Sequence, residues 1–312
     1  MIDQLLNALK QKTIKTKITK PSQSELQLGL DNYAHLQHSH YECYPYWLEK
    51  MKENQASLDI EEPFILNNTK HKNWSTLTFP KTAHSFYVDP KGLLSCHLNG
   101  FSIDVWVEFE NTLFLASQHE TSAQHLHYDE PMIQTHFDLK DKQVDLYAKA
   151  YIQQKSPLVE LSCHVSKQCK NPLKGCIYFV VRAYNPLGFC KLKDISYLQG
   201  GAFMINHKLA VVLPQEPSNI ICQALSSGDL LSQRHTWRYI FNAKCDDGTL
   251  SALAAYPFDL NKTQSCQKRI LVPGLEFFLK DDHLPPEHIA AMIRQDKSVL
   301  SLRTHYRSLL PN

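Results

Sequence analysis

Sixteen histidines stand among the 312 residues, and the densest run of them, His119, His125, His127 and His136, has Glu120 and Glu130 beside it. Imidazoles and carboxylates at close spacing can hold a divalent metal or pass protons. In His125-Leu126-His127 the two-residue period of a strand puts both rings on one face, as metal-binding barrels do. Such sites also want a glutamate several residues after the second histidine, and glycines around it. Glu130 follows too soon, and no glycine stands between Gly100 and Gly175. The expectation is therefore outward-facing polar histidines, with no metal and no cofactor. Proton transfer on a sugar needs a histidine acid and a glutamate base in one pocket. His136 or His164 with Glu160 or Glu108 are the candidates for that pair. Neither a G-x-S-x-G elbow nor a phosphate-cradling or dinucleotide glycine loop occurs among the ten glycines.

A second set is aromatic and amidic: Trp74, Trp106 and Trp237 with Tyr87, Tyr184, Asp104 and Arg182. A flat indole stacks on the apolar face of a pyranose while acids and amides take its hydroxyls. From this set Trp74, Asp104, Trp106, Arg182 and Tyr184 are the candidate carbohydrate-binding residues; no catalytic residue is assigned. The competing reading, the stronger one for any single tryptophan, makes them core aromatics and turn-locking polar groups. Asp104 and Trp106 share a strand face opposite Ile103, Val105 and Val107, so that face is expected to be solvent-side or part of a groove.

The elements that must position these residues are mostly strands. Ile103, Val105, Val107 and Phe109 alternate with Asp104, Trp106, Glu108 and Glu110, the period of a half-buried strand. Similar short runs recur between Phe64 and Phe278, divided by turn chemistry: Asp89-Pro90-Lys91-Gly92, Lys140-Asp141-Lys142, Asn171 to Gly175, Asn185-Pro186-Leu187-Gly188, Asn206-His207-Lys208 and Asp246-Asp247-Gly248. The last two read as hairpin turns. With roughly a dozen strands and no helix signal between them longer than two turns, parallel βαβ architecture is not expected. The expected fold is mainly β: a large antiparallel two-sheet sandwich, supersandwich-like, with short helices at both ends. Residues 1–60 are expected to be helical or irregular, 61–282 to form the sandwich, and 283–312 to form a terminal helix behind Pro285-Pro286-Glu287. Ile2, Leu5, Leu6 and Leu9 suggest an opening helix, and Trp47 to Lys52 a second.

Lys and Arg total 33 against 31 Asp and Glu, a net charge of +2 that gives no footprint for nucleic acid. The lysines at 10, 12, 15, 17 and 20 read as a solvated helix end. No apolar run reaches the roughly 18 residues of a membrane span, and no secretory core follows Met1. Nine cysteines, none spaced C-x-x-C, read as thiols of a reducing cytoplasm rather than a disulfide framework or zinc site.

Over about half the chain, Phe64 to Cys222, an ordered series of short motifs is similar to a known family. It runs through Asn73-Trp74-Ser75, Val88-Asp89-Pro90-Lys91-Gly92-Leu93, Ser102-Ile103-Asp104-Val105-Trp106-Val107, Glu120 with Gln124, and Arg182-Ala183-Tyr184-Asn185-Pro186-Leu187-Gly188. It resembles the N-terminal β-sandwich of bacterial glucoamylase-like and glycogen-debranching-like proteins. In those relatives a helical toroid follows and supplies the two hydrolytic carboxylates, and this sequence ends where a toroid would begin. The resemblance thus implies a non-catalytic carbohydrate-associated or scaffolding sandwich that binds oligosaccharide weakly, partnered by a separate toroid or another protein. The alternative is an enzyme with its own pocket, either a His/Glu sugar isomerase or a metal-dependent cupin-like oxidoreductase.

Overall fold

A computed structural model describes residues 23–38, 41–56, 73–79, 84–97, 100–110, 112–127, 129–153, 156–168, 172–198, 201–235, 239–261, 263–274 and 300–301. The opening helix expected at Ile2 to Leu9 and the terminal one behind Pro285 lie outside these residues, as does Trp237.

The chain is mainly β, in two large antiparallel sheets with short helices, as the strand pattern implied. The first sheet has eight strands: β1 (Ser75–Thr78), β2 (Ser85–Val88), β3 (Leu94–Ser95), β4 (Ser102–Phe109), β5 (Thr112–Leu115), β10 (Lys174–Arg182), β16 (Asn219–Ala224) and β18 (Leu250–Asp259). They lie in the order β1-β2-β3-β4-β10-β18-β16, with β5 also on β4. The second has ten: β6 (Ala123–His127), β7 (Met132–Asp138), β8 (Lys142–Gln153), β9 (Ser156–Lys167), β13 (Asp194–Leu198), β14 (Ala202–Ile205), β15 (Lys208–Val212), β17 (Asn242–Lys244), β19 (Ser265–Pro273) and β20 (Leu300–Ser301). Their order is β17-β13-β14-β15-β19-β9-β8-β7-β6, with β20 on β8. A two-stranded hairpin, β11 (Tyr184–Asn185) and β12 (Gly188–Phe189), stands apart.

The main core lies between the two sheets. Ile103, Val105, Val107, Ile177, Phe179, Val181, Ala252 and Ala254 of the first meet Ile133, Phe137, Val144, Leu146, Leu161, Val165 and Ile270 of the second. Along each strand these alternate with residues of the opposite face, because successive side chains leave a strand on opposite sides. Turns fix the registers. In Asp89–Gly92, Asp89 Oδ1 accepts the N–H groups of Lys91 and Leu93, at 2.8 and 2.9 Å, and Gly92 takes φ +84°. In Asn185–Gly188, Gly188 takes φ +133°. The Asn206-His207 turn is a hairpin between β14 and β15, as expected. The Asp246–Gly248 turn is not a hairpin: it carries the chain from β17 in the second sheet to β18 in the first, so its flanking strands never pair.

One side of the sandwich is stitched by hydrogen bonds. Ile240 exchanges bonds with β16, its N–H donating to the Ile220 carbonyl at 2.9 Å and its carbonyl accepting from Cys222 N–H at 2.8 Å. The next residue, Phe241, accepts from Tyr197 N–H, and β17 then pairs with β13. The segment Tyr239–Lys244 therefore belongs to both sheets.

The helices α1 (Gln23–His38) and α2 (Tyr46–Ala56) supply apolar side chains to a second core. Trp47, Leu48 and Met51 of α2 pack with Tyr41, Tyr44, Leu93 and Tyr184. The Asn32 side chain ties α1 to the hairpin: its amide donates to the Leu187 carbonyl at 2.9 Å and its oxygen accepts from Phe189 N–H at 3.0 Å. A third helix, α3 (Leu230–Gln233), contributes Leu230 to the apolar group around Trp106.

Candidate functional site

Arg182 at the end of β10, and Asp104 and Trp106 on β4, share the face of the first sheet that looks away from the main core. Arg182 pairs with Asp229, which caps α3; Nη2 and Nη1 donate to Oδ1 and Oδ2 at 2.8 and 3.2 Å. The same carboxylate accepts Leu231 N–H at 2.8 Å and Glu42 N–H at 3.1 Å, so three separate stretches of chain meet on one acid. The guanidinium carbon lies 4.8 Å from the Trp106 ring centre and 5.3 Å from that of Tyr41. Asp104 accepts Trp106 Nε1–H at 2.9 Å, the Ser117 hydroxyl at 2.8 Å and Val105 N–H at 2.9 Å. Burial pushes the Asp104 carboxyl up from its ordinary value against those hydrogen bonds. For Arg182 burial acts downward but is outweighed by Asp229, which holds the guanidinium charged.

Four of the five sequence candidates, Asp104, Trp106, Arg182 and Tyr184, are thus brought together, and all four are buried. Trp74 is half-buried, edge-on to Trp47 with ring centres 5.6 Å apart. The face expected to be solvent-side or a groove is neither: every residue of β4 is buried. The alternation divides two cores from each other, rather than core from solvent. Groups that a sugar hydroxyl would need are already used by Asp229, Ser117 and Trp106.

The histidines give a different result. On the second sheet, β7, β8 and β9 are adjacent, and the register sets His136 opposite Asp145 and Asp145 opposite His164. All three leave the face opposite the main core, because their neighbours Phe137, Val144, Leu146, Cys163 and Val165 fill it. His136 Nδ1 lies 2.8 Å from Asp145 Oδ1, and His164 Nδ1 lies 3.8 Å from Oδ2. Gln134 donates to Asp145 Oδ1 at 3.0 Å and to Tyr147 Oη at 3.4 Å, and its oxygen is 3.1 Å from His127 Nε2. Next along the face, Gln267 donates to Ser162 Oγ at 3.1 Å, and Arg269 pairs with Glu160 at 2.9 Å. Lys149 pairs with Glu130 at 2.6 Å.

Burial pushes the Asp145 carboxyl up, but His164, Gln134 and His136 outweigh it and bring it down to about 2. It is therefore a carboxylate at neutral pH. The two imidazole side chains remain about 30% exposed, 30% for His136 and 31% for His164, while the carboxylate beneath them is nearly covered. Of the pairings weighed from sequence, Glu160 shares this face with both histidines, whereas Glu108 is on the other sheet, accepting from Tyr178 Oη at 2.7 Å. Asp145, the acid that touches the imidazoles, was not singled out from sequence. Its only local signal is the alternation Gln143, Asp145, Tyr147, Lys149 along β8. His125 and His127 lie on β6, at the sheet edge. Among the described residues no group of three or more His, Cys, Asp or Glu is placed to hold a metal ion. Among the described residues no helix is long and apolar enough to cross a membrane.

No family model matches the chain, and no curated protein matches it. Among solved structures, a bacterial glucoamylase complexed with acarbose shows a weak, partial structural resemblance, with 10% sequence identity and a TM-score of 0.44. The likeness covers 78% of this chain and 39% of that one, so the chain spans well under half the length of that glucoamylase.

Proposed function

We propose that the protein is a carbohydrate-binding β-sandwich without hydrolytic activity, and that sugar meets the polar outer face of β7, β8, β9 and β19. The observation that carries this reading is the connected row His127–Gln134–Asp145–His136, with Tyr147 and His164 beside it and Gln267 and Arg269 at its flank. Fixed, half-exposed donors and acceptors at strand spacing suit a ligand that carries a hydroxyl on most carbons. Among the described residues no tryptophan stands on this face, and Trp106 and Arg182 serve the fold instead. Binding is weak, because an open sheet surface buries little of a sugar and water competes for each hydroxyl.

Hydrolysis of a glycosidic bond needs one carboxyl kept protonated and a second carboxylate across the bond, roughly 5 to 9.5 Å away. On this face Asp145 is held ionised, Glu160 is paired with Arg269, and Glu130 with Lys149. None has the apolar surroundings that keep a carboxyl protonated. Titration calorimetry and reducing-end assays with malto-oligosaccharides test the reading, backed by a glycan array. Heat is expected from wild type and from no more than a tenth of that affinity in the double variant Gln267→Ala, Arg269→Ala. Steady release of reducing ends would sink the non-hydrolytic half. An affinity unmoved by the double variant would sink the assignment of the face.

A further inference from the structure

The turn Asp89–Gly92, between β2 and β3, is clasped to the chain that leads into β6 of the second sheet. Lys91 Nζ donates to the Glu120 carbonyl at 2.8 Å, Ser122 Oγ to the Pro90 carbonyl at 2.9 Å, and Gln124 Nε2 to the Asp89 carbonyl at 2.8 Å. Gln124, on β6, also donates to Thr135 Oγ1 on β7 at 3.1 Å and accepts from Ser75 Oγ on β1 at 2.7 Å. The clasp therefore ties the two sheets at the β6 edge, and β6 carries His127, the first member of the polar row.

The Asp89 side chain has no exposure to solvent. Oδ1 accepts the Lys91 and Leu93 amides, but among the described residues Oδ2 has no hydrogen-bond partner. A carboxylate there buries a negative charge with one oxygen unmet, whereas the neutral acid buries no charge. The surrounding groups do not reverse this. Asp104 on β4 opposes a second negative charge, and Glu120 adds one beside Lys91. The Lys91 ammonium favours ionisation but is bonded to the Glu120 carbonyl. Tyr46 on α2 brings only a phenol, which a charge on Asp89 pushes further up. Thr135 and Leu146, which lie against Gly92 from the second sheet, are uncharged. Burial accordingly raises the Asp89 carboxyl to about 7.

We propose that Asp89 is a pH-sensitive latch at one end of the sugar face: protonated, it keeps the turn clasped to β6, and loss of its proton lets β6 and the His127 end of the row open. An ionised Oδ2 needs water, and because the side chain is fully covered, water reaches it when the turn lifts. The bonds to Glu120, Ser122 and Gln124 lift with it. In the opened turn the carboxyl regains its ordinary value of about 4, so opening grows more favourable as pH climbs from about 4 to about 7 and levels off above. The link to sugar rests on the reading of the outer face as the binding surface; the latch itself does not.

Hydrogen exchange of the full chain at pH 5 and pH 7, corrected for the intrinsic rate at each pH, tests the latch. Opening of segments 86–95 and 120–127 should be at least about tenfold more frequent at pH 7, while the central strands β10 and β18 stay unchanged. Asp89→Asn keeps an oxygen for the two amides and cannot ionise, so it should show no such rise. Equal opening of the wild type at both pH values would overturn the latch, and so would an equal rise in Asp89→Asn. Should that variant fail to fold, the double variant Ser122→Ala, Gln124→Ala decides. With two clasp bonds gone, 120–127 should open at pH 5 about as often as in the wild type at pH 7, and opening unchanged from the wild type at pH 5 would overturn the clasp. At ten times its dissociation constant, maltohexaose should slow exchange of 120–127 about tenfold, because the row is complete only with β6 in place. Binding heat without that slowing would overturn the link to the sugar face. The expected exchange with no binding heat would remove the sugar reading and leave the latch standing.

Discussion

Replacing Asp229 by alanine removes the carboxylate that pairs with the Arg182 guanidinium, which has no exposure to solvent. Leaving a buried charge uncompensated costs about 3 to 5 kcal/mol. The same change strips the cap of α3 at Leu231 N–H, worth about 1 kcal/mol. Asp229→Ala should therefore lose about 4 to 6 kcal/mol, a large share of the ~5 to 15 kcal/mol that holds a typical domain folded. The double variant Arg182→Met, Asp229→Leu removes charge and countercharge together and leaves mainly Glu42 N–H and Leu231 N–H unpaired. It should lose less than the single variant, because apolar replacements of a buried ion pair are close to neutral. Urea unfolding followed by tryptophan fluorescence measures both, with Trp106 directly over the guanidinium as reporter. A single variant within about 1 kcal/mol of wild type, or a double variant worse than the single, would refute the account of this pair as the tie between sheet and cap.

Three other perturbations have defined outcomes. A Cβ at Gly188 would collide with the Asn32 side chain, and the φ of +133° already disfavours one, so Gly188→Val should cost at least about 1 kcal/mol in a thermal melt and loosen α1 first. Burial raises the Asp89 carboxyl to about 7 against the Leu93 and Lys91 amides. A raised folded-state value means that its stabilisation is complete below the unfolded value near 4 and fades as pH climbs through about 7. Melts between pH 4 and 8 should show that decline in wild type, with a shallower slope in Asp89→Asn. Burial pushes the Cys245 thiol up, but the Thr249 hydroxyl and the amides of Thr249, Asp247 and Gly248 outweigh it and lower it overall. Among the described cysteines it should react first with a chromogenic disulfide, and Cys245→Ser should abolish the fast phase; an unchanged first phase would contradict the assignment.

The sandwich was legible because its signals are local. Ile103, Val105 and Val107 announce a strand, and Asp89 to Gly92 announces a turn, whatever the rest of the chain does. The burial of Asp104 and Trp106 was not legible, since the residues that cover them come from Cys43 and Leu230, far away in sequence. Polar-and-aromatic alternation looks the same whether it faces solvent or a second core. The α1 helix was missed for a related reason: its segment is weakly patterned, and its anchor, Asn32, acts on Leu187 and Phe189, more than 150 positions away. His136 and His164 were noticed as residue types, but their common acid could not be found. Which residue of β8 lies between them depends on two hairpin registers, and a slip of one residue would have placed Val144 or Leu146 there instead.

The segment Tyr239–Lys244 has a bearing on solubility. A sheet edge is a row of unsatisfied amides and carbonyls that invites another copy to add a strand. By bonding to β16 through Ile240 and pairing with β13 through β17, this segment covers part of the edge strand of the first sheet and forms the short edge strand of the second. Among the described residues the opposite edges are β1, four residues long, and β6, five residues long and carrying His125 and His127. Both are too short to template a long ladder. A proline at Ile240 would undo the arrangement on the stitched side. It would remove the Ile240 N–H that bonds the Ile220 carbonyl and leave that part of β16 open to edge-to-edge association.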